Sequence, residues 1–193
     1  PPSSYCSCDI FHSVLKPNST WGYTKNLGPA VNSIGWDSQP SLSHSGDTLF
    51  FASDRIGGLG FSDIYYSTKD KDGNWQKALN LGPIINTRGF EVSPFFHHKH
   101  NVLYFSSNGQ PLSFGGFDIL KSYKRSLTWD EPKNLGPLVN GPGSEYYFTI
   151  DSESNYLYYA SSTGDNVENL DLHSFPAPME AQPTAIAKLS GSL

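Results

Sequence analysis

The sequence lacks several features that would place it in a common functional class. It has one Met, two Cys and no apolar run near the roughly 20 residues of a membrane helix. Its 13 basic and 18 acidic residues give a net charge of −5. That balance argues against nucleic acid or an anionic membrane as the main partner, because both need a basic face. The chain does not begin with Met and has no charged-then-apolar leader, so we interpret it as a processed chain or a fragment.

The two cysteines, Cys6 and Cys8, stand close together in "YCSC". On a strand their side chains would point the same way, so a disulfide between them would be strained, and a metal site would need more ligands. We expect two free, partly buried thiols, which leave the cellular compartment open.

Signatures of catalysis are also missing. There is no G-x-S-x-G elbow, "GGLG" is too short for a dinucleotide-binding loop, and "SHSGDTLF" does not fit the Asp-box of sialidases. We therefore expect no enzyme activity and no cofactor.

What the chain does contain is a repeat. The phrases "WGYTKNLGPAVN", "WQKALNLGPIIN" and "WDEPKNLGPLVN" begin 54 residues apart, at Trp21, Trp75 and Trp129. The same spacing separates Asn26, Asn80 and Asn134, and also the acids Asp37, Glu91 and Glu145. A further set, Asp63, Asp118 and Asp171, follows with slips of one residue, as loops of variable length between fixed strands would give. Such a period indicates a repeat architecture.

The residue pattern of each repeat predicts about four short strands. In the first full copy these are 36–43, 47–53, 62–68 and 74–79. "TLFFAS" has apolar residues at both alternations, with Leu49 and Phe51 facing one way and Phe50 and Ala52 the other. A strand of this kind is covered on both faces. Four short antiparallel strands per repeat predict an all-β fold of propeller blades stacked face to face.

In this fold the repeated phrase would join one blade to the next. We expect the Trp to cover the outer part of a blade, with at least two of the three largely buried. Leu81 would fill the space between blades, Gly82 and Pro83 would end the outer strand, and Asn86 would bond to backbone.

The phrase, followed by "EVSP", "LYFSSN" and "GGFDI", resembles the TolB-like propeller repeat over residues 5 to 175. It is most similar to the propeller of OmpA-family, peptidoglycan-associated envelope proteins from gliding bacteria with type IX secretion. The resemblance implies a periplasmic location at the outer membrane and other envelope proteins as partners. It also implies peptidoglycan binding by a domain outside this chain. The third copy departs from the pattern at "EYYF" and lacks Gly-Gly before Asp171.

Strand counting predicts about three and a half blades in residues 1–176, fewer than a propeller needs to close. We therefore expect further blades before residue 1; a shorter propeller closed by a partner chain is the alternative. Residues 177–193 are interpreted as a linker into a following β-domain.

The two repeated sets of acidic residues can be interpreted as ligand-binding or as structural. Asp37, Glu91 and Glu145 would begin the innermost strands and could line a channel and hold a cation, but we expect each to bond to amides of its own turn. Asp63, Asp118 and Asp171 could be loop ligands, but more often such residues cap the turn that enters a strand. "HHKHN", His97 to Asn101, has the composition of a metal cluster but falls at a hairpin, so we interpret it as an exposed turn.

Two functions follow from these readings. The first is a non-catalytic envelope scaffold that binds proteins through rigid loops. The second is a glycan-binding or glycan-hydrolysing propeller, which would need converging carboxylates and an exposed Trp at the channel mouth. Neither reading involves nucleic acid or direct insertion into a membrane.

Overall fold

The computed structural model describes residues 8–162 and 169–184. The regular secondary structure of these residues consists of β-strands. The strands are β1 (Phe11–His12), β2 (Lys25–Asn26), β3 (Asp37–Leu42), β4 (Thr48–Ser53), β5 (Asp63–Thr68), β6 (Leu79–Asn80), β7 (Glu91–His97), β8 (Val102–Ser107), β9 (Asp118–Arg125), β10 (Thr128–Trp129), β11 (Lys133–Asn134), β12 (Ser144–Ile150), β13 (Tyr156–Ser162) and β14 (Leu170–Pro176). Within this part of the chain no helix is present that could cross a membrane.

The strands form antiparallel sheets in chain order, as blades do. We call β1–β2 the half-blade, β3–β6 blade 1, β7–β11 blade 2 and β12–β14 blade 3. The half-blade corresponds to the third and fourth strands of a repeat. Blade 3 has the first three strands. The prediction of an all-β, partial propeller is confirmed.

The fourth strand of each full blade is shorter than predicted. In blade 1 it consists of one bridge between Lys69 and Trp75, followed by β6. The ladder breaks because the Ala78 N–H donates to the carbonyl of Ala30, in the preceding crossover, at 2.8 Å. The predicted strand 74–79 was therefore wrong in its length and in its continuity.

Apolar cores fill the spaces between blades, which we call joint 1 (half-blade to blade 1), joint 2 (blades 1 and 2) and joint 3 (blades 2 and 3). Leu49 and Phe51 pack into joint 1, whereas Phe50 and Ala52 pack into joint 2. In blade 2 the same alternation sends Leu103 and Phe105 to joint 2, and Val102 and Tyr104 to joint 3. The two-faced strands predicted from the sequence are thus the centres of the blades.

Two of the three repeated tryptophans, Trp75 and Trp129, are mostly but not completely buried, in line with the prediction for at least two of them. Trp21 is 67% exposed and does not share their environment. Each buried ring face packs toward the preceding blade, because Trp75 joins the core with Ile10 of the half-blade and Trp129 contacts Phe50 of blade 1. Trp21 has no preceding blade among the described residues to pack against.

Each innermost strand carries a bulge that the sequence did not reveal. Gln39, Ser93 and Tyr147, again 54 residues apart, have φ of 55°, 52° and 56°, and the pairing of each first strand shifts there. A positive φ is unusual for residues other than glycine. The bulges turn these side chains toward one another. The Ser93 N–H donates to Gln39 Oε1 at 2.6 Å, and Gln39 Nε2 donates to the Tyr147 hydroxyl at 3.3 Å.

After β14 the chain folds back onto blade 2. The Tyr104 hydroxyl donates to the Ala181 carbonyl at 2.8 Å, and Lys121 Nζ donates to the Gln182 carbonyl at 2.6 Å. Burial lowers the pKa of Lys121 to about 8. Residues 177–184 are therefore packed against the blades, while the rest of the predicted linker, 185–193, and its following domain lie outside the described residues.

Candidate functional site at the crossover end

One end of the blades carries the loops after each second strand and the crossovers between blades; we call it the crossover end. Asparagines organise it. Asn86 accepts the Ile64 N–H at 2.8 Å and donates to the Ile64 carbonyl at 3.0 Å, so it pairs like a strand residue. It also donates to Asn80 Oδ1 at 2.9 Å, and Asn80 Nδ2 donates to Asp63 at 2.7 Å. This network explains why the phrase both contains and ends with Asn.

The same network recurs at the other joints. Asn32 pairs with the Ile10 backbone and bonds to Asn26, and Asn140 pairs with the Ile119 backbone and bonds to Asn134. In every case the crossover is fastened to the third strand of its own blade.

The third-strand acids cap the loops that lead into their strands. Asp63 accepts the N–H groups of Leu59 and Gly60 at 2.6 and 3.0 Å. Asp118 accepts the Phe114 N–H at 2.7 Å through Oδ2. Asp171 keeps the equivalent register, opposite Ser161, but its side chain is exposed.

The first-strand acids lie beside these caps. Asp37 accepts the Ser33 N–H at 2.5 Å and the Arg55 guanidinium at 2.5 Å. Glu91 accepts the Thr87 N–H at 2.8 Å, the Thr87 hydroxyl at 2.6 Å and the Ser107 hydroxyl at 2.7 Å. Both acids are thus held by the turn that precedes their strand.

Glu145 is held less completely. Its Oε1 accepts the Ser161 hydroxyl at 3.0 Å, and its Oε2 has no hydrogen-bond partner within the described part of the chain. Burial raises the pKa of Glu145 to about 7, and the neighbouring Asp118 adds to the rise. Burial also raises the pKa of Glu91, although its hydrogen bonds oppose the rise. The three acids are equivalent by their spacing in the sequence, but their surroundings in the structure differ.

Aromatic rings form a row at this end, which we call the crossover ridge: Phe61 and Phe90 are exposed, Phe117 is half-buried and Tyr146 is buried. Successive ring centroids are 5.0, 6.2 and 4.9 Å apart, so the row is continuous across three blades. Phe61 is 68% exposed. Other exposed apolar side chains of the loops at this end are Ile34, Ile56, Leu59, Leu112 and Phe114.

Sequence reasoning missed the ridge. The available signal was an aromatic residue within or just after the glycine-rich loops "GGLGFSD" and "FGGFD", where a turn by itself has no need of one.

The bulges of the innermost strands border a second feature, a cavity of about 200 Å³ near the axis. Gln39, Ser93 and Tyr147 line it together with proline and phenylalanine side chains. The Ser93 hydroxyl is buried without a partner in the described residues. This lining is neutral and combines hydroxyl, amide and aromatic groups.

Four of the six histidines, His44, His97, His98 and His100, lie at the opposite end of the blades. The His98 ring stacks on His44 of the neighbouring hairpin with centroids 4.5 Å apart, and the His97 ring stacks on His100 at 5.2 Å. No group of three or more His, Cys, Asp or Glu side chains within residues 8–162 and 169–184 is placed to hold a metal ion. Cys8 is a half-buried free thiol; Cys6 lies outside the described residues.

No family model matches the chain, and no curated protein matches it. Solved structures do. TolB from Acinetobacter baumannii has 12% identity and a TM-score of 0.53 over 80% of this chain and 32% of that chain. A protein assigned as TolB from Agrobacterium tumefaciens has 11% identity and a TM-score of 0.54 over 89% of this chain and 57% of that chain.

An α-L-arabinofuranosidase from Lactobacillus brevis has 12% identity and a TM-score of 0.51 over 81% of this chain and 56% of that chain. The chain therefore spans about a third to under three fifths of the length of these proteins. At such identities the likeness shows the fold alone. The described residues form part of a TolB-like β-propeller.

Proposed function

We propose that this chain is a non-catalytic scaffold of the bacterial cell envelope. It faces the periplasm in an outer-membrane-associated, peptidoglycan-linked assembly and binds other envelope proteins through its crossover end. The crossover ridge carries this proposal. A continuous row of aromatic rings in which Phe61 and Phe90 are exposed, with exposed aliphatic side chains in the neighbouring loops, is what a protein-binding surface offers.

The chemistry of the acids supports a scaffold over an enzyme. Asp37 and Glu91 are occupied by hydrogen bonds from their own turns. Within the described residues no histidine is hydrogen-bonded to a serine, threonine or cysteine side chain, so no activated nucleophile is formed there. Loops that are held by hydrogen bonds to the acids of their own blade suit recognition.

The finer parts of the proposal rest on the resemblance of the repeat. An outer-membrane location, type IX secretion and peptidoglycan binding through a domain outside this chain belong to the OmpA-family proteins that the repeat resembles. The TolB fold is compatible with this setting.

Site-specific photo-crosslinking in intact cells tests the proposal. A photoreactive amino acid at Phe61, on the ridge, should yield a discrete crosslinked product in the envelope fraction. Leu127 is the matched control, because it is 97% exposed and lies on the β9–β10 hairpin at the opposite end. Equal crosslinking at both positions, or a freely soluble cytoplasmic protein, would contradict the proposal.

The axial cavity favours a second candidate, glycan binding. Tyr147 is 54% exposed, and an aromatic face beside hydroxyl and amide groups suits a neutral sugar ring. Calorimetric titration with peptidoglycan-derived disaccharides would detect such binding. It should be weakened in Tyr147→Ala and unchanged in Phe61→Ser if the cavity is the site.

A further inference from the structure

Two carboxylates meet at joint 3, and each has an oxygen that nothing in the described chain satisfies. Asp118 is 1% exposed and Glu145 is 2% exposed. Asp118 Oδ1 and Glu145 Oε2 are both buried without a hydrogen-bond partner. The Glu145 N–H donates to the Phe117 carbonyl at 2.7 Å, which places the two residues side by side. Buried carboxylates are normally fully hydrogen-bonded, paired with a cation or bound to a metal.

Within residues 8–162 and 169–184 no side-chain cation pairs with the carboxylates of joint 3. At joint 1 the Arg55 guanidinium neutralises Asp37. The residue equivalent to Arg55 in the sequence is Gly109 at joint 2 and Thr163 at joint 3, and neither has a charge. Within the described residues the ion pairs are Arg55–Asp37 and Arg125–Asp130, so neither Asp118 nor Glu145 belongs to one.

The sequence around joint 3 supplies fewer hydrogen-bond donors to these acids than the equivalent positions of the other joints supply. Ser33 and Thr87 each give a hydroxyl and an N–H to the acid four residues later. The corresponding residue at joint 3 is Gly141, which has no hydroxyl. The loop before Asp118 is one residue longer than the loop before Asp63. Of these two aspartates, only Asp63 accepts a second loop N–H through its Oδ1.

Backbone oxygens complete the surroundings. The carbonyls of Gly141 and Gly143 both crowd the space that a side chain at position 115 would occupy. A Cβ added at Gly141 would lie 3.6 Å from Glu145 Oε1. The crossover 141–143 therefore runs beside Glu145 and beside the loop that leads to Asp118, and it carries uncharged carbonyl oxygens there. Carboxylate and carbonyl oxygens are the ligands that hard divalent cations prefer.

We propose that Asp118, Glu145 and carbonyl oxygens of the 141–143 crossover form a Ca²⁺ site that locks blade 3 onto blade 2. Two buried carboxylates balance the charge of one divalent ion. Ca²⁺ accepts an irregular shell of oxygen ligands, whereas Mg²⁺ demands a near-ideal octahedron and keeps several waters. The proposed site has two acidic side chains, and carbonyl oxygens supply its other protein ligands. It therefore differs from metal sites that are built from three or more His, Cys, Asp or Glu side chains.

Thermal unfolding of the whole chain gives the first test. The protein is stripped with EGTA and melted with and without CaCl₂ at about 10 mM, in excess of the affinity of extracellular calcium sites. Calcium should raise Tm by roughly 3–10 °C for a chain of this size. Glu145→Gln and Asp118→Asn should abolish the rise. Glu91→Gln, which changes the equivalent acid of joint 2, is the matched control and should keep it.

Terbium luminescence gives a second readout that does not depend on stability. Tb³⁺ replaces Ca²⁺ at oxygen sites and is excited through nearby aromatic rings; here Tyr146 is adjacent to Glu145. One equivalent should bind and be displaced by Ca²⁺. The signal should be lost in Glu145→Gln and weakened in Gly141→Thr, which supplies the missing hydroxyl.

Both experiments can overturn the proposal. An unchanged Tm of the wild type in calcium and EGTA, with no Tb³⁺ signal, would mean that the two carboxylates share a proton instead. A calcium effect that persists in Glu145→Gln but disappears in Glu91→Gln would place the ion elsewhere. If Asp118→Asn fails to fold, the wild-type comparison and Glu145→Gln still decide the outcome.

Discussion

Joints 2 and 3 are built from the same repeat, yet their equivalent glutamates are hydrogen-bonded differently. Both use the Asn network, and both place a glutamate at the start of an innermost strand. At joint 2 Thr87 and Ser107 give Glu91 three hydrogen bonds. At joint 3 Gly141 replaces the threonine and offers Glu145 no hydroxyl, and Glu145 Oε2 has no partner among the described residues. Repetition thus fixes the backbone of a joint, while single side chains decide its electrostatics.

The largest expected effect on stability concerns the ion pair of joint 1. Arg55→Leu would leave Asp37 buried without its counterion and should lower the free energy of unfolding by roughly 3–5 kcal/mol. Chemical denaturation monitored by Trp fluorescence measures the loss. The double variant Arg55→Leu/Asp37→Asn should recover most of it. If the double variant is as unstable as the single one, the loss comes from the packing of the guanidinium on Phe51 and Tyr65.

The Asn network should contribute equally to joints 2 and 3. Asn86→Ala and Asn140→Ala each leave a buried N–H and a buried carbonyl of the third strand unpaired. Each should cost about 3 kcal/mol of unfolding free energy, since buried groups without partners are costly. Denaturation of the two variants in parallel checks the prediction. A difference above about 1 kcal/mol would break the claim that the joints share one backbone device.

Substitution of the repeated tryptophans should cost less unfolding free energy, and the cost should differ between positions. Trp129→Ala removes a ring that contacts Phe50 and Phe96 edge-on, and should cost about 2 kcal/mol because the ring is half-buried. Trp21→Ala should change stability by less than about 0.5 kcal/mol, as surface substitutions usually do. Equal losses would contradict the explanation that each Trp packs on the preceding blade.

The repeat and the two-faced strands could be read from the sequence because both arise from local rules. A 54-residue spacing and the alternation in "TLFFAS" determine blades and joints with no knowledge of distant contacts. The bulges at Gln39, Ser93 and Tyr147 could not be predicted, since no glycine marks them and their partners lie on other blades. The different environment of Trp21 could not be predicted for the same reason.

The site was only partly predictable. Asp37, Glu91 and Glu145 could be singled out by their spacing, but their differences depend on Arg55, Thr87 and Gly141. Comparing positions 33, 87 and 141 across the repeats would have identified the missing hydroxyl. The crossover ridge depends on how loops of three blades align, which strand patterns do not specify.

The pH dependence of unfolding in EGTA tests the central claim, that one side chain per repeat sets the electrostatics of a joint. Because the pKa of Glu145 is raised from 4.5 to about 7 in the folded state, its proton stabilises the fold at low pH. That stabilisation is lost as the pH rises from 4.5 through 7. Gly141→Thr should stabilise the ionised Glu145 carboxylate by about 1 kcal/mol above pH 7, so the free energy of unfolding should fall less steeply with pH. Glu145→Gln should remove the contribution of Glu145 to the pH dependence. Identical pH profiles for the wild type and Gly141→Thr would contradict the account.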